Sequence, residues 1–151
     1  AGDDYETVAL EEFRVAPLIC GDAWNPALFH LGALGHAHAF LISTCSPAGG
    51  LGDAVSSERN WKRLIRLFAT IYGSYVLFVN RAGSDGGTDF WGGSEVVDPF
   101  GETVVSSDTD TEEVLHAEIE LERVRRARRL LFTTRDARPD FLRRQLASLD
   151  E

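Results

Sequence analysis

Two thiols, four imidazoles and a single amine are the side chains of this 151-residue sequence most able to attack, ligate or move a proton. The first thiol, Cys20, closes the apolar run VAPLIC and is followed at once by Gly21 and Asp22. The end of a strand is where a sheet presents functional groups, and a glycine there lets a substrate approach the backbone closely. A thiol attacks only as thiolate, so an ordinary pKa near ~8.5 must be lowered or a base supplied. The backbone N–H just after the thiol could also stabilise an oxyanion. The competing reading is a buried structural cysteine, since cysteine is among the most buried residue types. Taken alone, the local sequence fits the structural reading better.

The other candidates are sparser. The histidines are His30, His36, His38 and His116, with His30 on the helix expected after Cys20. No spacing among them singles out a Cys-His dyad. His36 and His38 form a short H-x-H that could join Cys20 or Asp22 at a metal, but the further ligands of a zinc pattern are missing. GGLGDAV, from Gly49 to Val55, matches the first two glycines of a dinucleotide loop and places Val55 where the third belongs. No acidic residue closes the next strand, and there is no Walker motif. No metal and no cofactor is therefore expected.

Positioning Cys20 falls to short apolar runs. Arg14–Cys20, Ala39–Cys45 and Tyr75–Asn80 read as buried strands. Pro26 suits a first helical turn and Gly35 a helix end, and a second helix is predicted from about Ser56 to Tyr72. In that second helix Trp61, Leu64, Ile65, Phe68, Ile71 and Tyr72 recur at three- and four-residue spacing, opposite Lys62, Arg63 and Arg66. Strands alternating with helices predict an α/β fold with parallel pairing. Downstream, GSDGGTD reads as a flexible loop, and WGGSEVVD and ETVVSS as a hairpin about the turn DPFGE. EVLHAEIE reads as a strand, and LERVRRARRLL and RPDFLRRQLASL as helices. The three apolar strands want cover on both faces, and four helices with one hairpin fall short of that. A partner chain or a further segment would resolve the shortfall.

Bulk properties bound the function. A chain of this length fits a single domain, residues 1–151, able to bury roughly 70% of its unfolded surface. A net charge of −9 argues against nucleic acid as a partner, although nine of the fifteen basic residues are arginines between Arg123 and Arg144. That stretch reads as a solvated or interface helix. No apolar run approaches the ~20 residues of a membrane span. AGDDYETVALEE lacks the regions of a signal peptide, and two cysteines fit a reducing cytoplasm.

Three stretches together resemble the carbon–nitrogen hydrolase (nitrilase) superfamily. VAPLICGDAWNP is similar to its strand-Cys-x-Asp segment. YVLFVNRAGSDGGTDFWGGSEVVDPFGE resembles its Asn-Arg-x-Gly loop, Gly-Gly-Ser strand and Asp-Pro-x-Gly turn. AEIELERVRRARR followed by RDARPDF resembles its closing strand, helix and ending. The resemblance runs from about Gly2 to Leu142 and implies an α-β-β-α sandwich, here about its C-terminal half. It implies hydrolysis of a small-molecule amide or nitrile through a Cys nucleophile and a thioester, with a Glu base and a Lys that stabilises the tetrahedral intermediate. Cys20 takes the nucleophile's place; Gly21 would supply the oxyanion N–H, and Trp24, Ser46 and Asp85 would lie around the pocket. In the family the Glu and Lys precede the nucleophile, upstream of where AGDDYETVALEE falls. Lys62 follows Cys20 and does not match, and neither Glu11 nor Glu12 matches a family glutamate. The expected partners are a homo-oligomer or a complementing N-terminal half, and the chain alone is expected to be nearly inert. The other reading is a non-catalytic remnant serving as an assembly or interaction module.

Overall fold

The computed structural model describes residues 3–49, 55–108 and 110–149. Strands β1 (Val8–Leu10), β2 (Phe13–Ile19), β3 (Ala39–Thr44) and β4 (Tyr75–Asn80) lead into a small hairpin, β5 (Ala82–Asp85) and β6 (Thr88–Trp91). Strands β7 (Glu95–Val97) and β8 (Thr103–Ser106) follow. The helices are α1 (Pro26–Leu34), α2 (Ser57–Tyr72), α3 (Leu121–Leu130) and α4 (Pro139–Ala147). Six strands form one sheet in the order β1-β2-β3-β4-β7-β8, and β2, β3 and β4 are parallel as predicted. The register sets Ile19 beside Ser43 and Thr44 beside Asn80, so all three parallel strands end at one edge.

Local chemistry explains the two crossover helices. The Asn25 side chain accepts from the Ala27 N–H at 3.1 Å and Pro26 takes the first helical position, both strong starts for α1. The Gly35 N–H donates to the Leu31 carbonyl at 2.8 Å where that helix ends. Ser56 caps α2, whose Trp61, Ile65, Phe68 and Tyr72 are all buried. These residues meet Ala16, Leu18, Phe40, Ile42, Val76 and Phe78 from one face of the sheet. Each fully buried aliphatic or aromatic side chain stabilises the fold by about 1.5–3 kcal/mol. Gly32 lets α1 lie close to the strands, since a Cβ there would stand 2.8 Å from Phe40 and 3.0 Å from Ala16.

The opposite face is only partly covered. At one end Val124 of α3 packs with Ala39 and Tyr75, joined by the half-buried Val15, Leu77, Val96 and Ile119. Toward the strand ends cover stops, and Ile19, Leu41 and Val79 are 71%, 40% and 51% exposed. The expected shortage of cover is thus confined to one face.

Three expectations need correction. GSDGGTD is not a loop but the tip of the β5–β6 hairpin, in which Asp85 pairs with Thr88. Gly86 and Gly87 take φ of 56° and 82°, the two positive values that a tight two-residue turn requires. EVLHAEIE forms no ladder. Its alternation reflects half-burial of Leu115 and Ile119 against the sheet's second face, and burial on one side does not require a hydrogen-bonded neighbour. The first parallel strand stops at Ile19, and Cys20 instead opens a 3-10 segment, Cys20–Trp24.

Candidate active site

Cys20 sits at the edge where the parallel strands end. Its φ of 46° is left-handed, a conformation uncommon for a residue other than glycine and frequent at functional sites. The residues around it hold that bend. Asp22 Oδ2 accepts from the Ile19 N–H at 2.9 Å, and the Asn25 N–H donates to the Asp22 carbonyl at 3.0 Å. The thiol is half-buried, and Thr44 Oγ1 donates to its sulfur at 3.3 Å. Gly21 is exposed, with open space where a Cβ would project.

A polar network ties down the neighbouring strand ends. The Ser46 N–H donates to Asn80 Oδ1 at 2.8 Å, and Asn80 Nδ2 donates to the Gly92 carbonyl at 2.9 Å. The Asn80 N–H donates to Ser94 Oγ at 3.0 Å, which joins β4 to the approach of β7. Ser46 Oγ and Ser57 Oγ are hydrogen-bonded to each other, and Ser46 Oγ accepts from Trp61 Nε1 at 3.1 Å. Trp61 in turn meets the half-exposed Trp24 edge-on, with ring centroids 5.2 Å apart. Ser46 is therefore a buried junction rather than an open hydroxyl.

Asp85 belongs to a second, exposed group. Arg81 donates to Asp85 Oδ2 at 2.7 Å and to the Cys45 sulfur at 3.8 Å, and its guanidinium lies 4.6 Å over the Phe90 ring. The contacts with Cys45 and then Asp85 raise the basicity of Arg81. Tyr5 is pushed up to about 12 by burial and by the charge of Asp22, and its hydroxyl has no partner among the described residues.

The structure thus joins Trp24 to Ser46 through Trp61, and sets Asp85 on Arg81 beside Cys45. The sequence reading missed Thr44, Asn80 and Arg81 as the groups that hold these together. Asn80-Arg81 closing a strand was the available signal for two of them. His38 is no metal ligand in this arrangement, because its Nδ1 accepts from the Arg14 N–H at 3.0 Å. Among the described residues no group of three or more His, Cys, Asp and Glu side chains could hold a metal ion. Most of the Gly49–Val55 stretch lies outside the described residues. No helix among them is long and apolar enough to cross a membrane.

Comparison with known proteins gives the site a context. Residues 1–129 match the model of the carbon-nitrogen hydrolase family. An N-carbamoylputrescine amidase from Solanum tuberosum is 28% identical over 145 residues, covering 91% of this chain and 48% of that protein. A probable nitrilase from Schizosaccharomyces pombe is 25% identical over 149 residues, covering 97% of this chain and 52% of that one. The crystal structure of a carbon-nitrogen hydrolase from Helicobacter pylori G27 superposes with a TM-score of 0.80 at 29% identity, over 97% of this chain and 53% of that chain. The chain spans about half the length of the relatives it matches.

Proposed function

The chain belongs to the carbon–nitrogen hydrolase family, and on that premise we propose that it forms part of an enzyme hydrolysing an amide or nitrile through Cys20. The observation that carries this reading is Cys20 itself, a half-buried thiol held in a left-handed bend at the end of a parallel strand. Its Sγ attacks the carbonyl carbon, the C–N bond breaks, and the amine leaves with a proton. Water then attacks the resulting thioester, releasing the carboxylic acid and restoring the thiol. A nitrile would first give a thioimidate, which takes up water and loses ammonia to reach the same thioester. Gly21 N–H would face the oxyanion, while Trp24, Ser46 and Asp85 shape and brace the surroundings. Amide hydrolysis is the default, with the acyl group left undefined.

The general base and the cation for the tetrahedral intermediate come, in this reading, from a half of the domain outside residues 1–151. The exposure of Ile19, Leu41 and Val79 supports that division, because a second sheet laid on this face would complete an α-β-β-α sandwich. Lys62 supports it too: the sole lysine is bound to Glu58 at 2.9 Å on the outer face of α2. The free cysteines accord with a reducing, cytoplasmic setting. A second copy of the chain is a further expected partner.

The test is to supply an upstream half taken from a relative, in trans or fused, and follow ammonia release from a panel of simple amides and nitriles. Hydrolysis is expected in the paired protein and is lost in Cys20→Ser, with an acyl adduct on Cys20 seen by mass spectrometry. Turnover that survives Cys20→Ser, or an adduct on Cys45, overturns the reading. A paired protein that hydrolyses nothing, with Cys20 alkylating as slowly as Cys45, leaves an assembly module instead.

A further inference from the structure

We propose that Thr44 is a positioning residue for the Cys20 thiol, its buried hydroxyl fixing Sγ and favouring the thiolate; this rests on Cys20 being the nucleophile. The geometry is specific. Thr44 is the last residue of β3, buried, and its Oγ1 reaches Cys20 Sγ at 3.3 Å across the β2–β3 pair. The register that sets Ile19 beside Ser43 brings the next residues of the two strands together. Regular alternation would not fix the thiol by itself, since the left-handed bend takes Cys20 out of the strand. A β-branched neighbour is suited to hold it, because threonine has few χ1 rotamers and its hydroxyl is placed by the backbone.

The chemistry has a direction. A thiol sulfur is a weak acceptor, whereas a thiolate accepts a charge-assisted hydrogen bond roughly twice as strong as a neutral one. The Thr44 O–H therefore stabilises the anion more than the thiol. Thr44 keeps its own proton throughout; the thiol proton leaves to the base in the other half of the domain. A merely structural hydroxyl would be served by any acceptor, and its loss would alter stability without slowing the attack of the thiol.

Iodoacetamide separates the two. In a Cys45→Ser background Cys20 is the one thiol left to alkylate, and its rate at neutral pH is followed in the Thr44→Val and Thr44→Ser variants with folding checked by circular dichroism. Thr44→Val is expected to slow alkylation at neutral pH about tenfold. Thr44→Ser is expected to restore the rate within about twofold, because it keeps the hydroxyl. An unchanged rate in Thr44→Val, or equal losses in Val and Ser, overturns the proposal. If Thr44→Val does not fold, Thr44→Ala replaces it, and failure of both makes the hydroxyl a folding requirement and likewise overturns it. The measurement involves no substrate, so it can fail while Cys20→Ser still abolishes hydrolysis, and the reverse.

Discussion

The two faces of the six-stranded sheet have similar apolar sequences and different fates. Phe40, Ile42, Val76 and Phe78 are sealed under α1 and α2, while Leu41 and Val79, one position along the same strands, are 40% and 51% exposed. Sequence pattern alone made both faces look like core. The difference is one of supply, since the crossovers α1 and α2 lie on one face and α3 reaches only one end of the other. A finished face should respond to mutation as a core, and an unfinished one as a surface until something covers it. Phe40→Ala is therefore expected to destabilise the chain by about 3–5 kcal/mol in urea unfolding, against about 0.5 kcal/mol or less for Leu41→Ala. Equal costs would mean that the second face is already packed and would remove the case for a missing layer.

The same contrast can be sharpened from the partner's side. Ile19→Asp with Val79→Asp places two charges on the exposed strip, where water still solvates them in the chain alone. Burial under a second sheet would strip that water, and an unpaired buried carboxylate is strongly disfavoured. The double variant is expected to unfold within about 0.5 kcal/mol of the parent and to bind an upstream half at least tenfold more weakly, about 1.4 kcal/mol. Binding by titration calorimetry at parental affinity would place the complementing half elsewhere.

Much of this was legible because the signals were local. The helix ending at Tyr72, the strand Tyr75–Asn80 and the turn about Pro99 rest on periodicity, a cap and a preset dihedral. Where a pattern has two physical causes, the reading went astray: the glycines of GSDGGTD served a tight turn, and the alternation of EVLHAEIE served half-burial without pairing. In the site, Cys20 stood out by type and position. Thr44 did not, because its contact depends on the register of two strands separated by a whole helix. Ser46 was read at the end of the second apolar run, and its engagement with Trp61 and Ser57 could be seen only after α2 was docked.

The smallest expected effect lies at the opposite end of the strands, where pH takes the place of a mutation as the probe. His38, just before β3, accepts the Arg14 N–H on Nδ1 and meets the Phe13 ring edge-on, with centroids 6.0 Å apart. Burial first, and then Arg128, Arg125, Arg14 and His36, lower its pKa below the ordinary 6.5. Arg128 adds to the effect, since it donates to the neutral Tyr72 and Ala37 carbonyls and to the Ser74 hydroxyl. A histidine with a depressed folded pKa binds its proton more readily in the unfolded chain. Its contribution to stability is therefore fully present above about 6.5 and declines as pH falls toward the folded value. Protonating Nδ1 also removes the acceptor for Arg14. His38→Asn keeps an oxygen where Nδ1 accepts but cannot titrate, so urea unfolding of this variant should lose less stability than the parent between pH 7 and pH 5 (about the range of histidine titration). A parent and variant with parallel profiles would show that this corner of the sheet tolerates the added proton, and that the cations around His38 are too well solvated to oppose it.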